Sequence, residues 1–153
     1  KGVIETVKKL GWSPEIIHCQ GWFAALIPLY IKTVYNEDPL FKNTKVIYNV
    51  FDSDFKETLN TNIVKKLLFE RKLNLRNVSL LKNPTFINLN KFAINYSDAI
   101  IQGSKNINPQ ILKYIKKSKL PFMPYAGDEE YEDTYNNFFE SLVSTEELEL
   151  SEK

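Results

Sequence analysis

Three short apolar runs, separated by segments with helical periodicity, constrain the fold of this sequence more than any other feature. They cover residues 15–18, which follow a Ser-Pro turn, residues 45–51 and residues 98–103. Each is rich in β-branched side chains and too short for a helix, which is typical of buried strands. Strands that alternate with helices are joined by right-handed crossovers into a mainly parallel sheet. The pattern therefore predicts an α/β fold, a three-layer Rossmann-like domain.

The segments around these runs have the spacing of helices. We expect helices near residues 2–10, 22–35, 60–71, 84–96 and 134–143, another whose first turn contains Asn108-Pro109, and a short fourth strand at 121–125. The segment 22–35 is apolar nearly all round, which favours one long helix packed against the sheet.

Each of the three strands ends in a cluster of polar residues. The clusters are residues 18–20 (His-Cys-Gln), 52–54 (Asp-Ser-Asp) and 102–104 (Gln-Gly-Ser). The carboxyl ends of parallel strands lie at one edge of a sheet, where ligand crevices form, so we expect these side chains to face the same edge. His18 and Gln20, where the first strand turns through Gly21 into the next helix, are the first candidates for a binding site.

The residue types in these clusters leave alternatives open. His18 can contact a ligand or hydrogen-bond a neighbouring backbone group, since no carboxylate partner follows from the spacing. Asp52 and Asp54 can form a metal or acid–base pair, or cap the turn that follows the strand. Cys19 alternates with its neighbours along the strand, so we expect it to point away from them as a buried, unreactive thiol.

The composition excludes several kinds of site. The five glycines form no G-x-G-x-x-G or P-loop pattern, so Gly103-Ser104 is at most a weak anion cradle. One cysteine and one histidine exclude an internal disulfide and a multi-histidine metal site, and we expect no cofactor and no structural metal. The longest apolar segment, residues 22–31, is too short to cross a bilayer, and no secretory signal is visible. We therefore expect a cytoplasmic chain in a reducing compartment with no membrane partner.

The charge is divided unevenly along the chain. Residues 1–127 hold 19 basic and 9 acidic side chains, whereas residues 128–153 hold one basic and ten acidic side chains. We interpret this as a Rossmann-like domain over 1–127 and an acidic C-terminal helix and tail over 128–153, which covers or repels a surface and has a disordered end. A basic segment between residues 65 and 82 has no motif for reading nucleic acid, so we expect no nucleic acid partner. Its members are Lys65, Lys66, Arg71, Lys72, Arg76 and Lys82.

Three blocks of the sequence carry recognisable motifs in a fixed order. They are residues 18–22 with 25–30 (HCQGW and ALIPLY), residues 45–55 (KVIYNVFDSDF), and residues 91–99 (KFAINYSDA) with Ser104. The blocks are similar to H-A-H-D-W…G-L-x-P-x-Y, to K-T-V-F-T-I-H-N-L-A-Y and to K-A-G-L-x-Y-A-D-x-V-x-T-V-S of bacterial glycogen and starch synthases. The resemblance to this family covers about residues 1–118.

The resemblance implies a fold, an activity and a set of partners. Those enzymes have two Rossmann-like domains facing each other across a cleft, the GT-B arrangement, and transfer glucose from ADP-glucose to an α-1,4-glucan with retention. The matched blocks lie in the second half of the first domain, so the resemblance implies a fragment of one GT-B half. The implied partners are ADP-glucose, an α-glucan, and a missing N-terminal segment or second Rossmann half. The family's glycine-rich K-x-G-G-L donor loop does not occur in the sequence.

The sequence departs from these motifs at positions that matter for catalysis. Phe51 falls on the histidine that the family places against the transferred sugar, and Glu57 falls on a glycine of the same block. Gln20 and Gly21 replace the second histidine and the aspartate of H-A-H-D-W. A phenyl ring cannot hydrogen-bond a sugar hydroxyl or a developing charge, and one such contact can contribute several kcal/mol in a transition state. We therefore expect no catalytic residue and no activity from the isolated chain.

The resemblance nevertheless implies a binding site. His18, Trp22, Asp98 and Ser104 keep the family's residue types, although packing and turn capping are sufficient roles for Trp22 and Asp98. The alternative function is a non-catalytic module that binds a glucan through this crevice or another protein through the basic segment. The expected substrate-binding residues are His18, Gln20, Trp22, Asp52 and Ser104.

Overall fold

Four parallel strands form one sheet in the computed structural model, which describes residues 1–127 and 131–151. The strands are β1 (Ile16–Gln20), β2 (Lys45–Val50), β3 (Ala99–Gln102) and β4 (Phe122–Met123). They lie in the sheet in the order in which they follow along the chain, and every neighbouring pair is parallel. The predicted α/β, Rossmann-like fold with its parallel sheet is confirmed.

Helical segments precede the first strand, connect the strands and follow the last one. The helices are α1 (Gly2–Lys9), α2 (Ile27–Leu29), α3 (Asn62–Leu67), α4 (Phe86–Asn95), α5 (Pro109–Ser118) and α6 (Tyr131–Ser151). Short 3₁₀ segments cover Trp22–Ala24 and Ser79–Lys82, and a π-helical turn covers Tyr30–Val34. Among the described residues, no helix has both the length and the apolar character that crossing a bilayer would need.

The sequential strand order decides where the helices pack. When parallel strands follow each other in one direction across a sheet, right-handed crossovers place all their connecting helices on the same face. The larger core cluster lies on that face and includes Cys19, Tyr48 and Ile100 from the strands together with Phe92 of α4 and Ile111 of α5. The opposite face receives no crossover helix, and its second, smaller cluster packs against α6.

Side-chain caps begin the two longest crossover helices. The Thr85 hydroxyl accepts a hydrogen bond of 3.2 Å from the backbone N–H of Asn88 at the start of α4. At the start of α5, the Asn108 side-chain oxygen accepts a hydrogen bond of 2.9 Å from the backbone N–H of Gln110. Pro109 lies in the first turn of this helix, where no backbone N–H is required. The Asn108-Pro109 start predicted from the sequence is therefore confirmed.

The single helix predicted over residues 22–35 is wrong. The structure breaks this segment into a 3₁₀ turn, the one-turn helix α2 and a π-helical turn that closes with the Tyr35 N–H on the Tyr30 carbonyl. Pro28 at the start of α2 has no N–H to donate to the preceding turn, so the helix cannot run through it. The break leaves Phe23 89% exposed, although the sequence pattern predicts an apolar surface packed all round.

The acidic C-terminal segment forms a longer helix than the predicted 134–143. Helix α6 is described as far as Ser151, where the charge pattern predicts a disordered end. Residues 128–130 and 152–153 of that segment lie outside the described residues. Among the described side chains of α6, those that pack on the sheet are Tyr135, Phe138, Phe139 and Leu142, beside Ile47, Ala99, Ile101 and Met123. The sequence predicts that the acidic segment covers or repels a surface. In the structure, its helix covers one face of the sheet.

Asp98 connects structural elements at the amino end of the sheet. One carboxylate oxygen accepts a hydrogen bond of 2.6 Å from the backbone N–H of Val46 and lies 2.6 Å from the Lys32 ammonium group. These contacts join the start of β3 to β2 and to the π-helical turn. Asp98 therefore has a structural role, which explains why the block that resembles the family keeps this aspartate. The residue lies away from the carboxyl edge of the sheet.

Replacement of Gly103 by alanine tests the packing at that carboxyl edge. A Cβ atom at Gly103 would lie 2.7 Å and 2.8 Å from two ring carbons of Phe51 and would also overlap the side-chain oxygen of Asn49. We expect Gly103→Ala to lower the free energy of unfolding by about 1–3 kcal/mol, as overpacking does elsewhere. Urea unfolding measures the effect, with Gly2→Ala as the control because its Cβ would meet nothing within 4 Å. Equal stability of the two variants would contradict this packing.

Candidate functional site

The carboxyl ends of β1, β2 and β3 meet at one edge of the sheet, as the strand pattern predicts. Gln20 at the end of β1 is paired with Asn49, and Val50 at the end of β2 is paired with Gln102. Backbone hydrogen bonds continue past the strands, from the Gly21 N–H to the Asn49 carbonyl at 2.9 Å and from the Gly103 N–H to the Val50 carbonyl at 2.8 Å. The residues that directly follow the three strand ends are therefore held side by side.

Asp52 and Ser104 contact each other directly at this edge. The Ser104 hydroxyl donates to a carboxylate oxygen of Asp52 at 3.1 Å and accepts from the Asp52 backbone N–H at 3.2 Å. Asp52 and Asp54 are both exposed, and within the described residues no three histidine, cysteine or acidic side chains are grouped to hold a metal ion. The arrangement presents a fixed carboxylate to solvent, where it can accept hydrogen bonds from hydroxyl groups of a ligand.

His18 lies inside the sheet and not at the strand end where the sequence pattern places it. Strand β1 continues two residues further, to Gln20, and alternation puts His18 on the face that α6 covers. The rings of Tyr135 and Phe139 meet the imidazole edge-on, with centroids 5.8 Å and 5.6 Å away. Its Nε2 atom is buried without a hydrogen-bond partner, so the alternative of a backbone hydrogen bond does not hold for this nitrogen. Burial lowers the pKa of His18 below its usual 6.5 and favours the neutral ring.

Asn49 is a polar residue of this site that the sequence analysis missed. It is 1% exposed, in the middle of the apolar run of β2, and its side-chain amide donates to the Tyr135 hydroxyl at 3.0 Å. Its side-chain oxygen is buried without a partner. An unpaired buried polar group costs about 1–3 kcal/mol. A lone amide in a strand of otherwise apolar residues was the available signal.

Phe51 lies at the carboxyl edge, half-buried and outside both core clusters. Its ring is directly beside Gly103, where any side chain would overlap it, and beside Gly21. Gly21 has φ +66°, a conformation that glycine adopts without strain, and this lets the chain turn tightly past the ring. The residue that the resemblance aligns with the family's histidine therefore presents a phenyl ring at the edge.

The side chains of Gln20 and Trp22 differ in how accessible they are to a ligand. Gln20 is exposed at the end of β1. Trp22 is half-buried against the larger core cluster, and its ring meets Phe55 and Phe23 edge-on at 5.1 Å and 5.8 Å. Part of the role of Trp22 is therefore packing, whereas nearly all of the Phe23 side chain is open to solvent.

Cys19 lies on the opposite face of β1 from His18. The thiol is 1% exposed within the larger core cluster. Burial raises the pKa of Cys19 to about 12, so the thiolate is not populated at neutral pH. The prediction of a buried thiol is confirmed, and Cys19 takes no part in the chemistry of the edge.

Comparison with known proteins identifies relatives for most of the chain. Residues 1–121 match the family described as the starch synthase catalytic domain. The glycogen synthase of Clostridium perfringens is 32% identical over 122 residues, which cover 80% of this chain and 24% of that protein. The glycogen synthase of Chlorobium luteolum is 44% identical over 69 residues, 45% of this chain and 14% of that protein. The chain thus spans a quarter or less of the length of these relatives, and no solved structure matches it significantly.

The buried imidazole of His18 predicts a stability that depends on pH. The unfolded chain takes up the histidine proton as the pH falls through about 6.5, whereas the folded chain takes it up at a lower pH. The unfolded state then binds more protons, so the free energy of unfolding decreases from about pH 6.5 downward until the folded pKa is passed. We expect His18→Gln to lose this pH-dependent part of the free energy of unfolding. Urea unfolding between pH 8 and pH 5.5 compares the two proteins, and parallel pH profiles would contradict the prediction.

Proposed function

Since the chain belongs to the starch synthase catalytic domain family, we propose that it is part of the first Rossmann-like half of an ADP-glucose-dependent glucosyltransferase. Residues 1–127 form the Rossmann-like unit in this proposal, and residues 128–153 form an acidic extension. The 153 residues by themselves bind an α-glucan at the carboxyl edge of the sheet and do not transfer glucose. One buried cysteine agrees with a reducing, cytoplasmic compartment.

Phe51 at the carboxyl edge is the observation that carries the proposal of inactivity. Its ring fills the space between Gly21 and Gly103, so neighbouring backbone leaves little room for another group there. His18, the only histidine of the sequence, lies on the α6-covered face with its ring against Tyr135 and Phe139. No imidazole thus takes the place of the family's histidine, and a preorganised polar contact to the transferred sugar is lost.

The donor diphosphate also lacks a glycine-rich cradle within these 153 residues. The sequence contains no K-x-G-G-L motif, and its five glycines are dispersed. A phosphate group needs backbone N–H groups that approach it without a Cβ atom in the way. We therefore propose that ADP-glucose is bound only together with elements that these residues do not supply.

The exposed side chains at the edge suit a glucan better than a charged ligand. Gln20 and Asp52 offer exposed hydrogen-bonding atoms, and Ser104 is held against Asp52. Phe23, two residues after Gly21, is exposed, and the half-buried ring of Phe51 lies beside Gly21, so both offer apolar surface. Sugars present hydroxyl groups around their rim and apolar C–H faces, so a few polar groups beside aromatic rings match them.

The basic segment favours a second candidate function, the binding of an acidic protein. All six of its lysine and arginine side chains are exposed, and Phe69 among them is 85% exposed. An exposed aromatic ring within a basic segment is typical of an interaction surface. Binding to such a partner would weaken steeply with salt, whereas glucan binding at the edge would not.

An activity assay tests the proposed lack of transfer. The isolated chain is incubated with ADP-glucose and glycogen, and ADP release is compared with that of Phe51→Ala, with the Clostridium perfringens glycogen synthase as positive control. We expect no glucan-dependent ADP release above the Phe51→Ala background. Phe51→His is expected to be inactive as well, because these 153 residues contain no glycine-rich donor loop. Release by the unaltered chain above that background contradicts the proposal.

A binding assay tests the proposed glucan site. We expect Gln20→Ala to weaken maltoheptaose binding about 2- to 10-fold, the effect of losing one hydrogen bond of about 0.5–1.5 kcal/mol. Isothermal titration calorimetry gives the Kd, and Asn43→Ala is the matched control because Asn43 is exposed near the amino end of β2. Equal affinities of the two variants would place the glucan elsewhere. Trp22→Ala is less informative, since Trp22 also packs against the core.

A further inference from the structure

Among the described residues, two side-chain polar atoms are buried without a partner, and both lie on the sheet face covered by α6. They are Nε2 of His18 and the side-chain oxygen of Asn49. Alternation along the strands places both residues on the same face as Gln20, which is exposed at the carboxyl edge. The covered polar groups are therefore continuous with the edge to which we assign glucan binding.

We propose that α6 is a displaceable cover over a binding site for a hydroxyl-rich ligand, formed by His18 and Asn49. The inference rests on the proposed function, because it makes this site a buried extension of the glucan site at the edge. When α6 is docked, the ligand reaches only Gln20 and the exposed residues beyond it. When α6 moves away, the ligand reaches the sheet face as well.

The chemistry of the two residues defines the ligand. The amide of Asn49 has a donor end and an acceptor end, and only the donor end is used, by the Tyr135 hydroxyl. The opposite amide orientation would pair the oxygen with Tyr135 and leave the nitrogen in the unpaired position, so one end stays unpaired either way. A hydroxyl group both donates and accepts, and it therefore suits an amide and a neutral imidazole at once.

The contacts of α6 explain why it can be displaced. Its aromatic and leucine side chains pack on the small cluster of the sheet, whereas the crossover helices share the larger core cluster. A side-chain hydrogen bond from the Asn49 amide to the Tyr135 hydroxyl links α6 to the sheet. A ligand hydroxyl on Asn49 would replace the Tyr135 hydroxyl there and would also pair the atom that the docked helix leaves unpaired.

Hydrogen exchange of the full chain without ligand tests whether α6 is a separate cover. We expect α6 amides to exchange at least tenfold faster than β2 amides, and Tyr135→Ala/Phe139→Ala to accelerate α6 further while β2 stays unchanged. The matched control is Asn136→Ala/Asn137→Ala, whose side chains are exposed on the same helix. Exchange of α6 and β2 at one common rate overturns the proposal, because the helix would then open only with the whole domain.

Maltoheptaose binding tests the covered site itself. We expect Tyr135→Ala/Phe139→Ala to bind at least fivefold more tightly than the unaltered chain, and the Asn136/Asn137 control to bind equally. If the double variant does not fold, as shown by β2 exchange, Tyr135→Phe takes its place, since it removes only the hydroxyl on Asn49. We also expect ligand to accelerate α6 exchange.

The outcomes separate this inference from the proposed function. The covered site is overturned if the variant with the loosened helix binds maltoheptaose with the same affinity as the unaltered chain. It is also overturned if ligand slows the exchange of α6 amides. Either result leaves glucan binding at the edge intact. No binding by any of the proteins overturns the glucan proposal, and with it the ligand assigned to the covered site.

Discussion

The direction in which the strands follow each other across the sheet is the constraint on which the rest of this structure depends. Four parallel strands in sequential order, joined by right-handed crossovers, place every connecting helix on one face. Parallel sheets occur almost only with both faces covered. The second face carries Ile47, Ile101 and Met123, and α6 covers it with a ridge of aromatic side chains. The acidic segment thus completes the third layer.

The same constraint divides the candidate site into two parts. Residues beyond the strand ends, such as Asp52 and Ser104, stay at the exposed edge whatever covers the faces. Residues within the strands on the second face, such as His18 and Asn49, lie under α6. Phe51 lies between these parts, with its ring against Gly103. The proposed binding, inactivity and covering therefore all involve one small region at the ends of β1 and β2.

Sequence reasoning succeeded where a short-range pattern decides the outcome. Alternation along β1 placed Cys19 in the core, and the parallel pattern brought Asp52 and Ser104 to one edge. It failed where the length of a strand or helix, or its tertiary packing, decides the outcome. The end of β1 shifted by two residues, which moved His18 from the edge to a face, and Pro28 broke a helix whose apolar spacing alone looked continuous. Asn49 became important only because Tyr135, far away in the sequence, packs on it.

The sequence by itself determined the α/β class, the polar residues that follow β2 and β3, and the family to which residues 1–121 match. The resemblance also aligns Phe51 with the family's histidine. These follow from periodicity and residue identity, which are local properties. Only the tertiary structure decided which polar groups are exposed and which are covered. That depends on how α6 packs on a sheet formed by residues distant in the chain, and a one-residue change of register moves a side chain to the other face.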